Sequence, residues 1–413
     1  MTVGKFIGCV MMVVGSAIGA GILAMPIQIS GAGFLWSSVA IITAWVILTI
    51  TGLLVIEMSL ALPSQSCSFG SMAEKTLGTP GKIVTWISYV LLLCSILCAY
   101  VAGESSFVTN LVETELHINV PYWVSALLFV LVFGAAVFWS TRAVDFFNRG
   151  LISVKGLLLI ATLVLTLPHV NVEHLLHGQD IGRTKYLFIA SPVFLHIFNF
   201  HFVLPSIRMY VGDKPNILKW IVITGTTVSL IIYLLWAAAS LGIVPLTGEN
   251  GFISLAQLDH PADGPDFVKL ITAIVNSSWV TACINGFFNV SMTTSFLGVS
   301  LGLFDFLADG FKRPNTHFGR LQTSCLTFIP PIIFAVFYPH GFILALNYAA
   351  SFIAILCLIL PALMVYRLRK STELKSSYRA IGNNVFFFMV ILLGAVMFIL
   401  PILTNLHLLP EIS

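Results

Sequence analysis

Long apolar stretches, each about long enough to cross a bilayer, run through almost the whole of this chain. A helix needs roughly 20 apolar residues to cross about 30 Å of hydrocarbon. Eleven stretches meet this requirement, at 6–30, 33–62, 83–111, 121–140, 150–168, 187–211, 218–244, 267–303, 321–338, 342–366 and 384–405. The connections between them are short. The sequence therefore predicts an all-α membrane protein with 11 transmembrane helices and no soluble domain.

Composition indicates that lipid is the solvent for most of the surface. Only 9% of the residues are charged and 58% are hydrophobic, whereas soluble proteins carry roughly 25% charged residues. The net charge of +3 gives no reason to expect a nucleic-acid partner. The seven cysteines have no zinc-ligand spacing, so we expect neither a metal nor another cofactor.

The distribution of Lys and Arg predicts the orientation in the membrane. With the N-terminus in the cytoplasm, only Arg183, Lys185 and Lys269 of the 20 Lys and Arg residues fall on the outer side. Cytoplasmic loops carry an excess of these residues. Eleven spans then place the C-terminus outside.

The first predicted span contains residues that weaken a helix. Gly15, Gly19 and Gly21 lie at its middle and Pro26 follows; each glycine costs about 1 kcal/mol relative to alanine. Kinking and close helix packing are one interpretation, since Gly and Pro are common in membrane helices. A broken helix is the other.

The sixth predicted span is interrupted in a similar way, by Pro192 and Pro205. The interrupted spans are the first and the sixth, so their spacing favours two repeats of five spans each, in opposite orientation. In transporters built this way, broken helices in corresponding positions mark the central binding site. The predicted divisions are 1–168 for the first inverted repeat, 187–366 for the second, and 384–413 for the eleventh helix and the C-terminal tail.

Two broken helices would offer backbone groups to a zwitterion. Free N–H groups at the start of a half-helix bind a carboxylate, and free C=O groups at the end of a half-helix bind an ammonium group. We therefore expect the Gly19, Ala20 and Gly21 amides at the carboxylate of an amino acid. The remaining expected substrate-binding residues are Ser16, Ala17, Tyr100, Phe194, Leu195, His196, Ile197, Phe198, Asn199 and His201.

Several motifs resemble those of the aromatic amino acid permeases, the bacterial tyrosine/tryptophan permease family. They are Gly15-Ser16-Ala17-Ile18-Gly19-Ala20-Gly21-Ile22-Leu23-Ala24-Met25-Pro26, the sixth-span motif at 198–206, the eighth-span motif at 294–305, and Gly319-Arg320-Leu321-Gln322-Thr323 with the segment 328–342 that follows. The resemblance implies a fold of the leucine-transporter type, a 5+5 inverted repeat with broken helices 1 and 6. It also implies proton-coupled uptake of aromatic amino acids, with tyrosine favoured, across the bacterial inner membrane.

The sixth-span motif departs from the family pattern at two positions. The family usually has Phe-Gly-Phe-His-Gly, and this chain has Phe198-Asn199-Phe200-His201-Phe202. Asn tolerates unusual backbone angles, but Phe202 is far bulkier than glycine. The departure makes substrate selectivity less certain than the fold.

Ionisable residues within spans are costly and therefore functional candidates. By resemblance, Lys155 on the fifth span occupies the place of a coupling cation, and a desolvated lysine can exchange a proton near neutral pH. Its expected neighbours are the Gly15 and Ile18 carbonyls and the Thr294 and Ser295 hydroxyls. The alternative is a lysine anchor whose ammonium group reaches the membrane surface.

Three further candidates are ionisable residues within predicted spans. Glu57 is expected either to carry a proton or to pair with a cation on the inner side. Glu104 is expected near the outer mouth, in contact with water. His201 either shapes the site and titrates with substrate or is a hydrogen-bonded packing residue.

The function that these features predict is proton-coupled symport of an aromatic amino acid by alternating access. The main alternative is a sodium-coupled or exchanging amino acid transporter of the same fold. A membrane-embedded enzyme is disfavoured, since the spans contain no His-x-x-x-His, Asp-rich or nucleophile motif. The inverted pattern and the short loops also favour a transporter over a channel.

Overall fold

The computed structural model describes residues 1–19, 21–63, 67–139, 141–176, 181–255, 257–314, 316–406 and 408. Within these ranges the regular structure is helical and contains no strand. The helices are α1 (Val3–Ala17), α2 (Gly21–Ile29), α3 (Gly33–Ser59), α4 (Phe69–Leu116), α5 (Tyr122–Trp139), α6 (Thr141–Thr166), α7 (Val172–Leu176), α8 (Tyr186–His196), α9 (Leu204–Val211), α10 (Pro215–Ile243), α11 (Phe252–Leu255), α12 (Gly264–Val275), α13 (Ser278–Gly310), α14 (His317–Phe337), α15 (Phe342–Ile353), α16 (Leu360–Lys370) and α17 (Asn384–Asn405).

Ten helical stretches of the described ranges are long and apolar enough to cross a membrane. Helix α1 is apolar but shorter. The predicted stretch 6–30 corresponds to α1 followed by α2, and α2 continues into α3 through one 3₁₀ turn at Ser30–Ala32. The all-helical prediction therefore holds for the described residues, and the count of 11 separate spans stays a prediction.

One predicted span is wrong in its extent. The stretch 267–303 is not one helix, because α12 ends at Asn276, which adopts the left-handed conformation with φ +45°, and α13 begins at Ser278. Asparagine tolerates this conformation better than most residues. Hydropathy alone could not reveal the turn, since apolar residues flank it on both sides.

Both predicted interruptions are present. Helix α1 ends at Ala17, Ile18 has non-helical angles (φ −83°, ψ 88°), and α2 begins at Gly21. Helix α8 continues through Pro192 and ends at His196. An irregular segment and a 3₁₀ turn at His201–Val203 then lead into α9, where Pro205 lies in the first turn and its missing N–H leaves no helical bond unmade.

The two breaks lie against each other. The Ser16 hydroxyl donates a hydrogen bond to the Asn199 carbonyl at 3.1 Å. A Cβ added to Gly21 would lie 3.1 Å from both the His196 Cβ and the Ile197 Cγ2. Only glycine lets the start of α2 approach the end of α8 this closely. The irregular backbone of both helices is therefore buried in protein, as its depth requires.

Two arginines secure the C-terminal end of α3. Arg208 is 1% exposed; its guanidinium group donates to the Ser59 and Leu62 carbonyls and pairs with Asp213 at 2.8 Å. Arg369 of α16 binds both carboxylate oxygens of Glu57, at 2.8 and 2.7 Å. We call this end of the helical bundle the basic end.

A second polar cluster lies at the other end of α4. The Tyr122 hydroxyl donates to the Ala102 carbonyl at 2.5 Å, and Gly264, the first residue of α12, lies beside the Phe107 ring. Asp263 pairs with His340 at 3.1 Å. We call this the acidic end. Helix α4 thus runs between the two ends and passes the breaks midway.

Candidate functional site

Two features leave carbonyl groups near the first interruption without their helical partners. The break between α1 and α2 frees those at the end of α1, and Pro26, which has no N–H, leaves the Ile22 carbonyl of α2 without its partner. Side chains from two neighbouring helices bind three of them. The Tyr233 hydroxyl donates to the Ala17 carbonyl at 2.8 Å, the Trp236 indole to the Ile22 carbonyl at 2.8 Å, and the Lys155 ammonium group to the Ile18 carbonyl at 2.5 Å. Hydrogen bonds from α6 and α10 therefore stabilise the break.

Tyr233 and Trp236 are site residues that the sequence analysis did not identify. Both are fully buried in α10. Their presence within an apolar span could have indicated a polar partner nearby, because a buried Tyr hydroxyl or Trp indole N–H usually forms a hydrogen bond. Which backbone group they would bind could not be read from spacing.

Space near the break is bounded by Tyr100 and Ser295. A Cβ built on Gly19 would lie 3.5 Å from the Tyr100 hydroxyl and 4.0 Å from the Ser295 hydroxyl. Gly19 therefore faces α4 and α13, and any side chain at this position would take up that space. Tyr100 is 4% exposed, so its ring is part of the protein interior beside the break.

The second break supplies the predicted residues of α8. Phe194, Leu195 and His196 are buried in its last turn, where the final carbonyls of a helix lack intrahelical partners. Ile197 donates its N–H to the Val193 carbonyl at 3.0 Å. The Phe198 ring meets the Tyr233 ring edge-on, with centroids 5.9 Å apart, so both breaks contact the same residue of α10.

The two histidines of the sixth predicted span have different surroundings. His201 is completely buried, shares a 2.9 Å hydrogen bond with the Thr51 hydroxyl of α3, and stacks on Phe200. His196 bonds through Nδ1 to the Pro192 carbonyl at 3.1 Å, and its Nε2 is buried without a partner among the described residues. The Nδ1 of His201 is likewise buried without a partner among the described residues, so the two histidines differ in their contacts rather than in free polar atoms. The bond to Thr51 and the stacking on Phe200 favour the packing interpretation for His201.

Lys155 lies beside the first break. Its side chain is 8% exposed and bonds to the Ile18 carbonyl, so the ammonium group does not reach the membrane surface. Among the other expected neighbours, the Thr294 hydroxyl donates to the Ser291 carbonyl of its own helix, Ser295 faces Gly19, and Gly15 is exposed. The coupling role of this group of residues stays a prediction.

Glu57 belongs to the basic end rather than to the breaks. In addition to Arg369, its carboxylate accepts a hydrogen bond from the Ala380 amide at 2.7 Å. A carboxylate held by a guanidinium group and an amide is well placed to join α3 to α16 and the segment after it. This geometry favours the structural alternative for Glu57.

Ala20 and Glu104 are the remaining residues singled out from the sequence. Ala20 lies outside the residues that the structure describes. The expectation for Glu104 is wrong: its side chain is 3% exposed rather than in contact with water, and it accepts a 3.1 Å hydrogen bond from the Thr293 hydroxyl. Burial follows from the packing of α4 against α13 and α15, which the sequence of α4 alone does not reveal.

Phe202, the departure from the family motif, contributes to an aromatic cluster at the basic end. Its ring centroid lies 5.2 Å from that of Phe69 and 5.3 Å from that of Tyr89, and Tyr89 lies 4.9 Å from Phe306. The cluster of Phe69, Tyr89, Phe202 and Phe306 thus joins α4, α13 and the start of the second half of the broken helix.

Comparison with known proteins agrees with this architecture. The model of the tryptophan/tyrosine permease family matches residues 2–401. The chain is 32% identical to "Tyrosine-specific transport system 1" of Haemophilus influenzae over 96% of each chain. It is 33% identical to "Tryptophan-specific transport protein" of Pseudomonas aeruginosa, over 98% of this chain and 96% of the relative.

A second protein of Haemophilus influenzae, "Tyrosine-specific transport system 2", is 31% identical over 99% of each chain. These similarities extend over the full length of the described bundle. The chain therefore belongs to the tryptophan/tyrosine permease family and is an integral membrane permease of bacterial type, not an enzyme.

Proposed function

We propose that this permease is a proton-coupled symporter that imports aromatic amino acids, tyrosine foremost, across the bacterial inner membrane by alternating access. The single observation that carries the proposal is the contact between the two breaks, made by Ser16 and Asn199. The relatives named for tyrosine and tryptophan transport support the aromatic class. The preference for tyrosine rests on the sequence motifs.

The proposed binding site is the space beside Gly19. The Gly21 amide at the start of α2 would bind the carboxylate of the substrate. The Gly19 amide donates to the Ala17 carbonyl at 3.1 Å and would have to leave it to bind the same carboxylate. The last carbonyls of α8, at Phe194 and Leu195, would bind its ammonium group. Tyr100 and Phe198 would contact the aromatic ring, because their own rings border the breaks and aromatic pairs are favourable at such distances.

The proposed architecture is eleven spans in a 5+5 inverted repeat of the leucine-transporter type, with the N-terminus in the cytoplasm and the C-terminus in the periplasm. The interruptions of α1/α2 and α8/α9 support the repeat. Arg208 and Arg369 at one end of the bundle, together with the overall distribution of Lys and Arg, support the orientation.

Lys155 supports coupling to protons rather than sodium. Its ammonium group bonds to the Ile18 carbonyl, a backbone oxygen of the kind that would otherwise be available to a bound cation. In its protonated form, Lys155 would compete with a metal ion for the same oxygen.

Uptake by purified protein in liposomes tests the proposed function. A proton gradient and a sodium gradient are imposed separately, and labelled tyrosine competes with tryptophan, phenylalanine and leucine. We expect uptake with the proton gradient and competition by the aromatic solutes only. Uptake driven by sodium alone would favour the sodium-coupled alternative, and equal competition by leucine would contradict the aromatic preference.

A further inference from the structure

A buried carboxyl group lies close to the break without a cation. Glu104 is one helical turn from Tyr100 on α4 and is 3% exposed. Its Oε1 accepts the Thr293 hydroxyl at 3.1 Å. Within the part of the chain that the structure describes, it takes part in no ion pair. A carboxylate at such a position is costly unless a cation or a proton neutralises it.

Among the described residues, no cation on the helices packed against α4 forms an ion pair with Glu104. Towards the acidic end, the ionisable groups on these helices and the adjoining loops include Tyr122, Asp263, Asp266, Lys269 and His340. Asp263 pairs with His340, and Lys269 lies near Asp266. The others are Cys283, Asp305 and Asp309 on α13, His317, Arg320 and Cys325 on α14, Tyr348 on α15, Cys357 between α15 and α16, and Tyr366, Arg367, Arg369 and Lys370 on α16. Lys155, from α6, bonds to Ile18 instead.

The position of Glu104 connects the acidic end to the substrate space. Phe107, one turn further along α4, touches the start of α12 at Gly264. Tyr100, one turn in the other direction, faces Gly19. Thr293 precedes Thr294 and Ser295 on α13. A movement that separates α12 from α4 would therefore bring water to Glu104 before it reaches the breaks.

We propose that Glu104 is a proton-binding residue of the transport cycle, a role that rests on the proposed function and places Glu104 in series with Lys155 on the path of a single proton. The carboxylate takes one proton from water when the acidic end is open. The resulting carboxylic acid is the form compatible with the closed arrangement. The O–H bond breaks again when water enters from the basic end. The amino acid crosses as a zwitterion, so each cycle moves one positive charge.

The test compares proton entry with amino acid exchange in Glu104→Gln. Glutamine keeps the size and the hydrogen bond to Thr293 but binds no proton. Purified proteins are placed in liposomes that contain a pH-sensitive dye. Labelled tyrosine is supplied with a pH gradient, or with unlabelled tyrosine inside and no gradient. Glu113→Gln is the matched control, since Glu113 is an exposed carboxylate on the same helix.

For wild type and Glu113→Gln, a gradient of about one pH unit should drive up to about tenfold accumulation at one proton per solute, since a factor of ten is about 1.4 kcal/mol. Glu104→Gln should show no accumulation and no proton entry, with exchange close to wild type. Proton entry equal to wild type in Glu104→Gln would overturn the proposal and leave coupling to Lys155.

Two other results can be distinguished from each other: loss of exchange in Glu104→Gln, and failure of the wild-type protein itself. If Glu104→Gln loses exchange as well, the pH profile of uptake by Glu104→Asp decides: a displaced midpoint supports a proton-binding role, and an unchanged midpoint contradicts it. Failure of the wild-type protein to exchange tyrosine would instead contradict the proposed function, whatever the variants do.

Discussion

At the scale of single residues, the site is built from side chains that satisfy exposed backbone. Lys155 is the clearest case, because its ammonium group is buried and bonds to the Ile18 carbonyl rather than to a carboxylate. Removing the charge leaves that carbonyl with one partner fewer and removes a group able to exchange protons.

We predict that Lys155→Gln abolishes uptake driven by a proton gradient, while exposed Lys75→Gln behaves as wild type. The expected loss is the full accumulation of about tenfold per pH unit. Tyrosine accumulation in liposomes at fixed pH gradients measures it. Undiminished dependence on the proton gradient in Lys155→Gln would reject the coupling role.

At the scale of structural elements, the aromatic cluster packs α4, α13 and the turn at Phe202 together at the basic end. Phe202 contacts Phe69 and Tyr89, and Cys67 lies two residues before Phe69 with 9% exposure. Phe202 makes both of the contacts that join the 201–203 turn to this cluster. Cys67 is a natural reporter of its opening.

We predict that Phe202→Gly exposes Cys67. Loss of two aromatic contacts, each worth about 0.5–1.5 kcal/mol, should raise the rate of maleimide labelling at Cys67 by about tenfold. Peptide-resolved mass spectrometry separates this cysteine from the other six. Phe318→Gly, which removes an exposed ring at the same end, is the control. Equal labelling rates in the two variants would show that the cluster does not close this end.

The elements also show what the sequence could predict. Gly19 and Gly21 predicted the break of α1/α2 because glycine is a poor helix former at any position in a span. Pro192 predicted the break of α8 less accurately, since the helix accommodates it and ends four residues later. The end of α12 at Asn276 was missed because the left-handed backbone there depends on local geometry. The burial of Glu104 was missed because it depends on packing between helices that are distant in the sequence.

At the scale of the whole molecule, the Asp263–His340 ion pair ties the start of α12 to the loop before α15. His260 stacks on His340 at 3.9 Å and lies 3.9 Å from Asp266, which also meets Lys269. The hydrogen bond to Asp263, opposed by partial burial, raises the pKa of His340 above its ordinary value. A raised pKa means that the folded protein holds this proton more tightly than the unfolded chain.

We predict that this tie stabilises the protein under acidic conditions. Protonated His340 contributes to the free energy of unfolding. This contribution is fully present below the pKa of histidine in the unfolded chain, about 6.5, and is lost as the pH rises through the raised pKa of the folded protein. The melting temperature of wild type in detergent should therefore fall between about pH 6 and pH 8 by more than that of His340→Gln. His317→Gln, at the basic end, should retain the wild-type difference. The same pH dependence in His340→Gln would contradict this role.

The hydrogen bonds from Tyr233 and Trp236 have a further consequence for the molecule. The two side chains stand one helical turn apart on α10 and hold Ala17 and Ile22, which lie on opposite sides of the same gap. Helix α10 thus connects α1 to α2 across the break. The distance between the two helices is set by the spacing of these two side chains on α10. Any change in the distance between Ala17 and Ile22 then requires that one of these two hydrogen bonds be lost or that α10 itself deform.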